Sequence, residues 1–264
     1  GGKNWYYLFN YDRYEPTKIA ATFREDAVPA VWDPENGEVR DIPPMHREEG
    51  LTTLNIKLDP SDSLFVMFDR ERPEPPYYEV REVVTKRELP PPYEVRFDPE
   101  WGGPARIVFD ELISWPEHDH KGVRHYSGIA GYQKSFTLPA AWHRDEAAVT
   151  VEFDKIRDVA EVYVNGQRAG SLWKPPYEIE ITKHLRRGRN ELLVKVANTW
   201  VNRCLYDATR PADERLTWAN SMQMHFPDED ATDRRFAWDR GPLPSGIIGD
   251  VRLVLEAVKK RRDP

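Results

Sequence analysis

Ala160-Glu161-Val162-Tyr163-Val164-Asn165-Gly166-Gln167-Arg168-Ala169-Gly170 decides the fold class of this chain. Apolar and polar residues alternate up to an Asn-Gly pair, the dipeptide that supplies the positive φ angles of a tight hairpin. The segment therefore reads as a strand running into a turn, with every second side chain on one face. Similar alternation recurs on both sides of it. Upstream lie Tyr93–Phe97, Ala105–Phe109, Gly128–Leu138 and Val149–Phe153; downstream lie Glu178–Thr182, Asn190–Asn198 and Ile247–Leu255. Eight strands with turn signals between them predict a jelly-roll β-sandwich over residues 93–258.

The preceding sequence has the same character on a smaller scale. Trp5–Asn10, Lys18–Phe23, the strand-turn-strand Pro29–Val39 around Asn36-Gly37, Leu51–Leu58 and Ser63–Phe68 predict a small β-sandwich over residues 1–72, with Leu54, Ile56 and Leu58 on one face. Between the two, Pro73, Pro75, Pro76 and then Pro90 to Pro92 predict a stiff connector over 73–92, with room for one strand over Tyr77–Thr85 between the proline clusters. Residues 259–264 read as a basic tail, and residues 201–245 as a long polar insertion with weak periodicity. The expected fold class is all-β, a small β-sandwich followed by a jelly-roll β-sandwich.

Composition narrows function by exclusion. The 264 residues carry a net charge of −7, which argues against a nucleic-acid partner, because a phosphate backbone demands a basic face. No apolar run approaches the ~18 residues of a membrane-spanning helix, and no membrane partner is expected. The single Cys204 permits neither an internal disulfide nor a cysteine zinc site, and in a strand context it reads as a small buried hydrophobe. The chain opens Gly1-Gly2-Lys3 without a Met, as a segment of a longer protein would, and carries no signal peptide. Nine Trp and twelve Tyr suit saccharide stacking as well as core filling.

Several segments resemble known families. Gly128–Leu138, Val151–Gly166, Pro176–Thr182 and Gly188–Leu192 resemble, in order and spacing, the sugar-binding sandwich of glycoside hydrolase family 2, which implies that the jelly-roll β-sandwich is galactose-binding-like. Trp101–Pro104, Leu172–Tyr177, Asn198–Arg203 and Leu243–Gly249 resemble the C-terminal β domains of family 106, the α-L-rhamnosidases, and Ala30–Glu38 with Ser63–Phe68 resembles the β domain preceding that sandwich. The resemblance implies that the catalytic carboxylates belong to a (β/α)₈ domain; no repeated βα units occur here, so no catalytic residue is carried over. It implies a non-catalytic carbohydrate-binding or accessory region of an extracellular or periplasmic glycoside hydrolase, with a poly- or oligosaccharide and the parent catalytic domain as partners. The alternative is a structural module that packs against that barrel and binds no ligand itself.

Candidate contacts follow from residue chemistry. Trp115, His118, His120, Arg124 and Tyr126 crowd one twelve-residue stretch that reads as a solvated loop, a carbohydrate-contacting loop, or, through His118, His120 and Asp119, a metal site. Trp173 and Tyr177 flank Lys174-Pro175-Pro176 and either pack on their own sandwich or present rings to sugar. Asn202 and Arg203 end a strand, and Arg203 can fork onto an internal carboxylate or a uronic acid. Trp238, Asp239 and Arg240 combine ring, carboxylate and guanidinium, with a turn cap as the plainer reading of Asp239. The acidic run from Asp228 to Asp233 is either a solvated loop or a structural Ca²⁺ site, although it lacks EF-hand spacing.

Overall fold

A computed structural model describes residues 2–217 and 241–262 and divides the chain into two compact units. Residues 1–84, 174–176 and 256–264 form the first; residues 85–173 and 177–255 form the second. Both are β structures, as the alternation requires.

In the first unit, β1 (Lys3–Phe9), β2 (Thr17–Phe23), β3 (Val28–Trp32), β4 (Val39–Asp41), β5 (Pro44–Glu48), β6 (Leu51–Leu58) and β7 (Ser63–Asp69) make two antiparallel sheets. Their orders are β1-β7-β3-β4 and β2-β6-β5. Leu54, Ile56 and Leu58 of β6 share a core with Val31, Leu64, Val66 and Phe68 of the larger sheet. Full burial of each such side chain contributes about 2 kcal/mol before entropy is charged against it. On β1, Asn4 and Tyr6 turn inward and both donate to the buried Glu25 carboxylate, at 2.6 and 2.7 Å. Lys174 belongs with this unit, its Nζ 2.6 Å from Glu35 Oε1 and 2.8 Å from Asp62 Oδ1.

The second unit is built on β9 (Tyr93–Arg96), β10 (Ile107–Phe109), β11 (Ile129–Thr137), β12 (Ala147–Arg157), β13 (Val159–Val164), β14 (Gln167–Leu172), β15 (Glu178–Glu180) and β16 (Arg189–Ala197). Six strands pair in the order β10-β9-β11-β16-β13-β14. A second sheet runs β15-β12-β17-β8, where β8 is Tyr78–Glu88 and β17 is Gly246–Arg261. Val95, Tyr132, Val162 and Val194 from the first sheet and Val151, Phe153, Leu253 and Leu255 from the second meet in one core, as the two inner faces of a β-sandwich do. Asn165 (φ 52°) and Gly166 (φ 81°) form the β13–β14 turn, both with the positive φ that the dipeptide predicts.

β8 occupies Tyr78–Glu88 between the two proline groups, where the sequence leaves room for one strand, and it neighbours β17 in its sheet; proline excludes pairing only where it stands. Two expectations change. The basic tail is part of β17, which continues to Arg261, with Lys259 and Arg261 both paired to Glu82. Cys204 sits on helix α2 (Val201–Ala208) rather than in a strand context, and it is only partly buried.

Candidate carbohydrate-contacting site

Register places several chain crossings at one end of the six-stranded sheet. Ala197 is opposite both Ile129 and Val159, Ala160 is opposite Leu172, and Arg96 is opposite Gly131. Antiparallel pairing then forces β9, β16 and β14 to leave at this end and β11 and β13 to begin there. The turn Pro99–Trp101 comes directly after β9, Trp200 and α2 come after β16, and Trp173 comes after β14. Helix α1 (Lys121–Arg124) precedes β11 and sits against the same turn, where a Cβ on Gly122 would lie 2.5 Å from the Gly102 carbonyl oxygen.

Three tryptophans are exposed here. Trp101 is 37%, Trp200 45% and Trp173 53% accessible. Trp101 and Trp200 meet edge to face at 4.8 Å, an arrangement that leaves one indole face outward. From β9 to β14 the sheet spans four strand spacings, about 19 Å, a length suited to several sugar rings.

The floor of this end is held by amides. Asn198 accepts from Gly128 N–H (2.9 Å) and donates to Tyr126 O and Ser245 Oγ (both 3.0 Å). Asn202 accepts from Leu243 N–H at 2.7 Å and donates to Leu243 O and Ser245 Oγ. Its side chain is thus a buried clasp between α2 and the start of β17 and does not face ligand. Arg203 is also internal: its Nη2 lies 2.7 Å from Asp207 Oδ1, and both side chains are nearly inaccessible. Of the two readings of Arg203, internal ion pair or uronate fork, the structure places it in the first.

The Asp207 carboxyl is raised by burial, but Arg203 together with the Thr217 hydroxyl and amide outweighs that, and it is held below the usual carboxylate range. Tyr206 stacks on His125 at 4.2 Å, and the guanidinium groups of Arg203 and Arg210 lie 5.3 and 5.6 Å from its ring centre. Burial lowers His125, and the cations Arg124, Arg203 and Lys121 lower it further.

The remaining expected contacts divide. Trp115 and Tyr126 are core residues: Trp115 is fully buried, donates from Nε1 to Tyr132 Oη at 2.5 Å, and packs edge-on against Tyr126 and Phe97. A ring with no open face cannot stack on sugar, so neither is a ligand residue. Tyr177 is likewise buried. Arg124 is spent on the carbonyls of His118 and Asp119. His118 stacks on Phe109 and accepts at Nδ1 from His120 N–H, and His120 caps α1 by accepting from Gly122 N–H. Backbone N–H groups occupy the Nδ1 atom of each ring, and no group of three metal-binding side chains occurs among the described residues. Among the described residues of the expected set, Trp173 is an exposed ring at this end. Trp238, Asp239, Arg240 and the run Asp228–Asp233 lie outside the described residues. Sequence reasoning misses Trp101 and Trp200; the signal that could find them is a tryptophan just beyond the last residue of an alternating strand.

Comparison with known proteins agrees with this architecture. Residues 122–248 match a family model described as a glycosyl hydrolase 2 galactose-binding domain-like domain. The second unit contains a galactose-binding-like domain. Over 95% of its length the chain is similar to a rhamnosidase from Novosphingobium sp. PP1Y, at 30% identity and a TM-score of 0.77, covering 22% of that chain. A protein of Formosa agariphila provisionally named beta-glucuronidase is 30% identical over 173 residues, or 61% of this chain, and a beta-glucuronidase of the same organism is 34% identical over 96 residues, or 34% of this chain. The chain spans only 15% and 9% of the length of these two relatives. The galactose-binding-like domain is therefore related to parts of glycosidases.

Proposed function

We propose that the chain is a non-catalytic accessory region of a glycoside hydrolase, and that its galactose-binding-like domain contacts poly- or oligosaccharide through the sheet end bearing Trp101, Trp173 and Trp200. The observation that carries this reading is the convergence of three exposed indoles on one strand end. Ring faces bind the C–H surfaces of sugars without a counter-charge, and the ionic pair beneath them is already neutralised. Asp207, the buried carboxylate at this end, is held ionised by Arg203 and is a poor general acid, which glycoside hydrolysis would need. Bond cleavage then falls to other parts of the parent protein, whose catalytic domain is the second partner. Secretion or periplasmic location is part of the same proposal, since polysaccharide lies outside the cell.

Titration calorimetry of the chain against galactose-, rhamnose- and glucuronate-containing oligosaccharides tests it. Trp101→Ala or Trp200→Ala should weaken binding by roughly tenfold or more, the loss typical of a central aromatic contact. Absence of heat with every oligosaccharide, or turnover of an aryl glycoside by the purified chain, would refute the reading. The small share of the relatives that the chain spans favours, if binding is absent, the alternative of a structural module packed on the catalytic domain.

A further inference from the structure

The first unit holds a separate group of exposed rings. On β1, Trp5, Tyr7 and Phe9 alternate with the inward Asn4, Tyr6 and Leu8, and therefore share the outer face of the four-stranded sheet. Phe65 of β7 is opposite Tyr7, and Trp32 of β3 is opposite Phe65. The rings touch in a continuous set: Trp5 to Trp32 at 5.7 Å, Trp32 to Phe65 stacked at 5.2 Å, and Phe65 to Tyr7 at 5.1 Å. Trp5, Tyr7 and Phe9 are 48%, 58% and 45% accessible although each is a large apolar side chain. The charged residues that end this face on β1 and β7, Lys3 and Asp69, are opposite each other and neutralise each other at 2.9 Å.

Size and chemistry select the occupant. The exposed part of the three β1 rings amounts to about 350 Å², taking a full aromatic side chain as roughly 150–250 Å². That is the scale of a functional surface patch and well short of the ~800 Å² per partner of a stable protein interface. A second copy or a docked domain would need more area; a few sugar rings would not. Ring faces with no uncompensated charge suit the C–H faces of a neutral saccharide better than an acidic one.

We propose that the outer face of this sheet is a second saccharide-binding surface, taking a neutral polysaccharide chain across Trp5, Tyr7 and Phe65. The ligand class rests on the function proposed above, but the surface is separate from the galactose-binding-like domain. Native gels of the full chain cast with galactan, arabinogalactan, xyloglucan or mixed-linkage β-glucan provide the test. At least one polysaccharide should retard the protein, and in the Trp101→Ala/Trp200→Ala background, which removes the contribution of the other sheet end, the remaining retardation should have its apparent Kd raised by roughly tenfold by Trp5→Ala and by Tyr7→Ala. If Trp5→Ala disturbs the near-ultraviolet circular dichroism, Tyr7→Ser, at the more exposed position, decides. The proposal is overturned if no polysaccharide retards the protein, or if Trp5→Ala and Tyr7→Ser leave retardation unchanged. Retardation lost only in the Trp101 and Trp200 variants would overturn it while sparing the galactose-binding-like site. A dimer in sedimentation velocity that dissociates on Trp5→Ala would assign the face to a second copy instead and would also overturn it.

Discussion

Replacing Asp207 by Asn isolates the buried charge pair on which the sheet end rests. Asn keeps the size of the side chain and its capacity to accept from the Thr217 amide and hydroxyl, both 2.8 Å from Asp207 Oδ2. It removes the negative charge opposite Arg203, in a place where the two side chains are 9% and 1% accessible. Arg203 would then be a buried cation whose Nε already lacks a partner. Breaking a buried pair from one side costs about 3–5 kcal/mol; the lower end, about 3 kcal/mol, applies here because the guanidinium keeps its contact with the Tyr206 ring. With a urea slope near 2 kcal/mol/M, the midpoint of the second unit should fall by roughly 1.5 M. The double variant Arg203→Met, Asp207→Leu removes both charges and should recover at least half of that loss. The pH dependence has a definite sign. The folded carboxyl lies below its unfolded value of about 3.9, so the pair's contribution is full above that pH and is lost as pH falls toward the folded value. Asp207→Asn should abolish this acid-side loss. A midpoint shift below about 0.5 M, or a double variant no better than the single, would refute the reasoning.

Three other outcomes are expected. Gly246→Ala should lower the melting temperature of the second unit sharply, since φ is +98° and the new Cβ would lie 2.6 Å from Tyr132 Oη in the core; calorimetry reads a cost of about 3 kcal/mol or more. Trp115→Phe leaves the Tyr132 hydroxyl without its Nε1 donor and should cost about 2–3 kcal/mol by urea unfolding. Burial first, then the neighbouring His120, lowers the His118 pKa below its ordinary value of about 6.5. Stability from neutral His118 is therefore full above that value and is lost as pH falls through the folded value, so thermal shifts between pH 7 and 5 should be smaller in His118→Gln.

Alternation alone determined much of this chain: the strands around Asn165-Gly166, the inward face of Leu54, Ile56 and Leu58, and the all-β class, because a period of two is a local property of the backbone. Side-chain role was not local. Trp115 and Trp200 look alike in sequence, yet one is sealed against Tyr132 and the other stands open beside Trp101. His118 and His120 suggest a metal site until their Nδ1 atoms are found accepting from the neighbouring backbone. Arg203 reads as a fork for an internal carboxylate or for a uronic acid until α2 turns Asp207 onto it one helical turn later. Only the tertiary structure decided these, because whether a ring is covered or a charge matched depends on which distant strands pair, and pairing brings Ala197, Val159 and Ile129 to a common end that no short window of sequence contains.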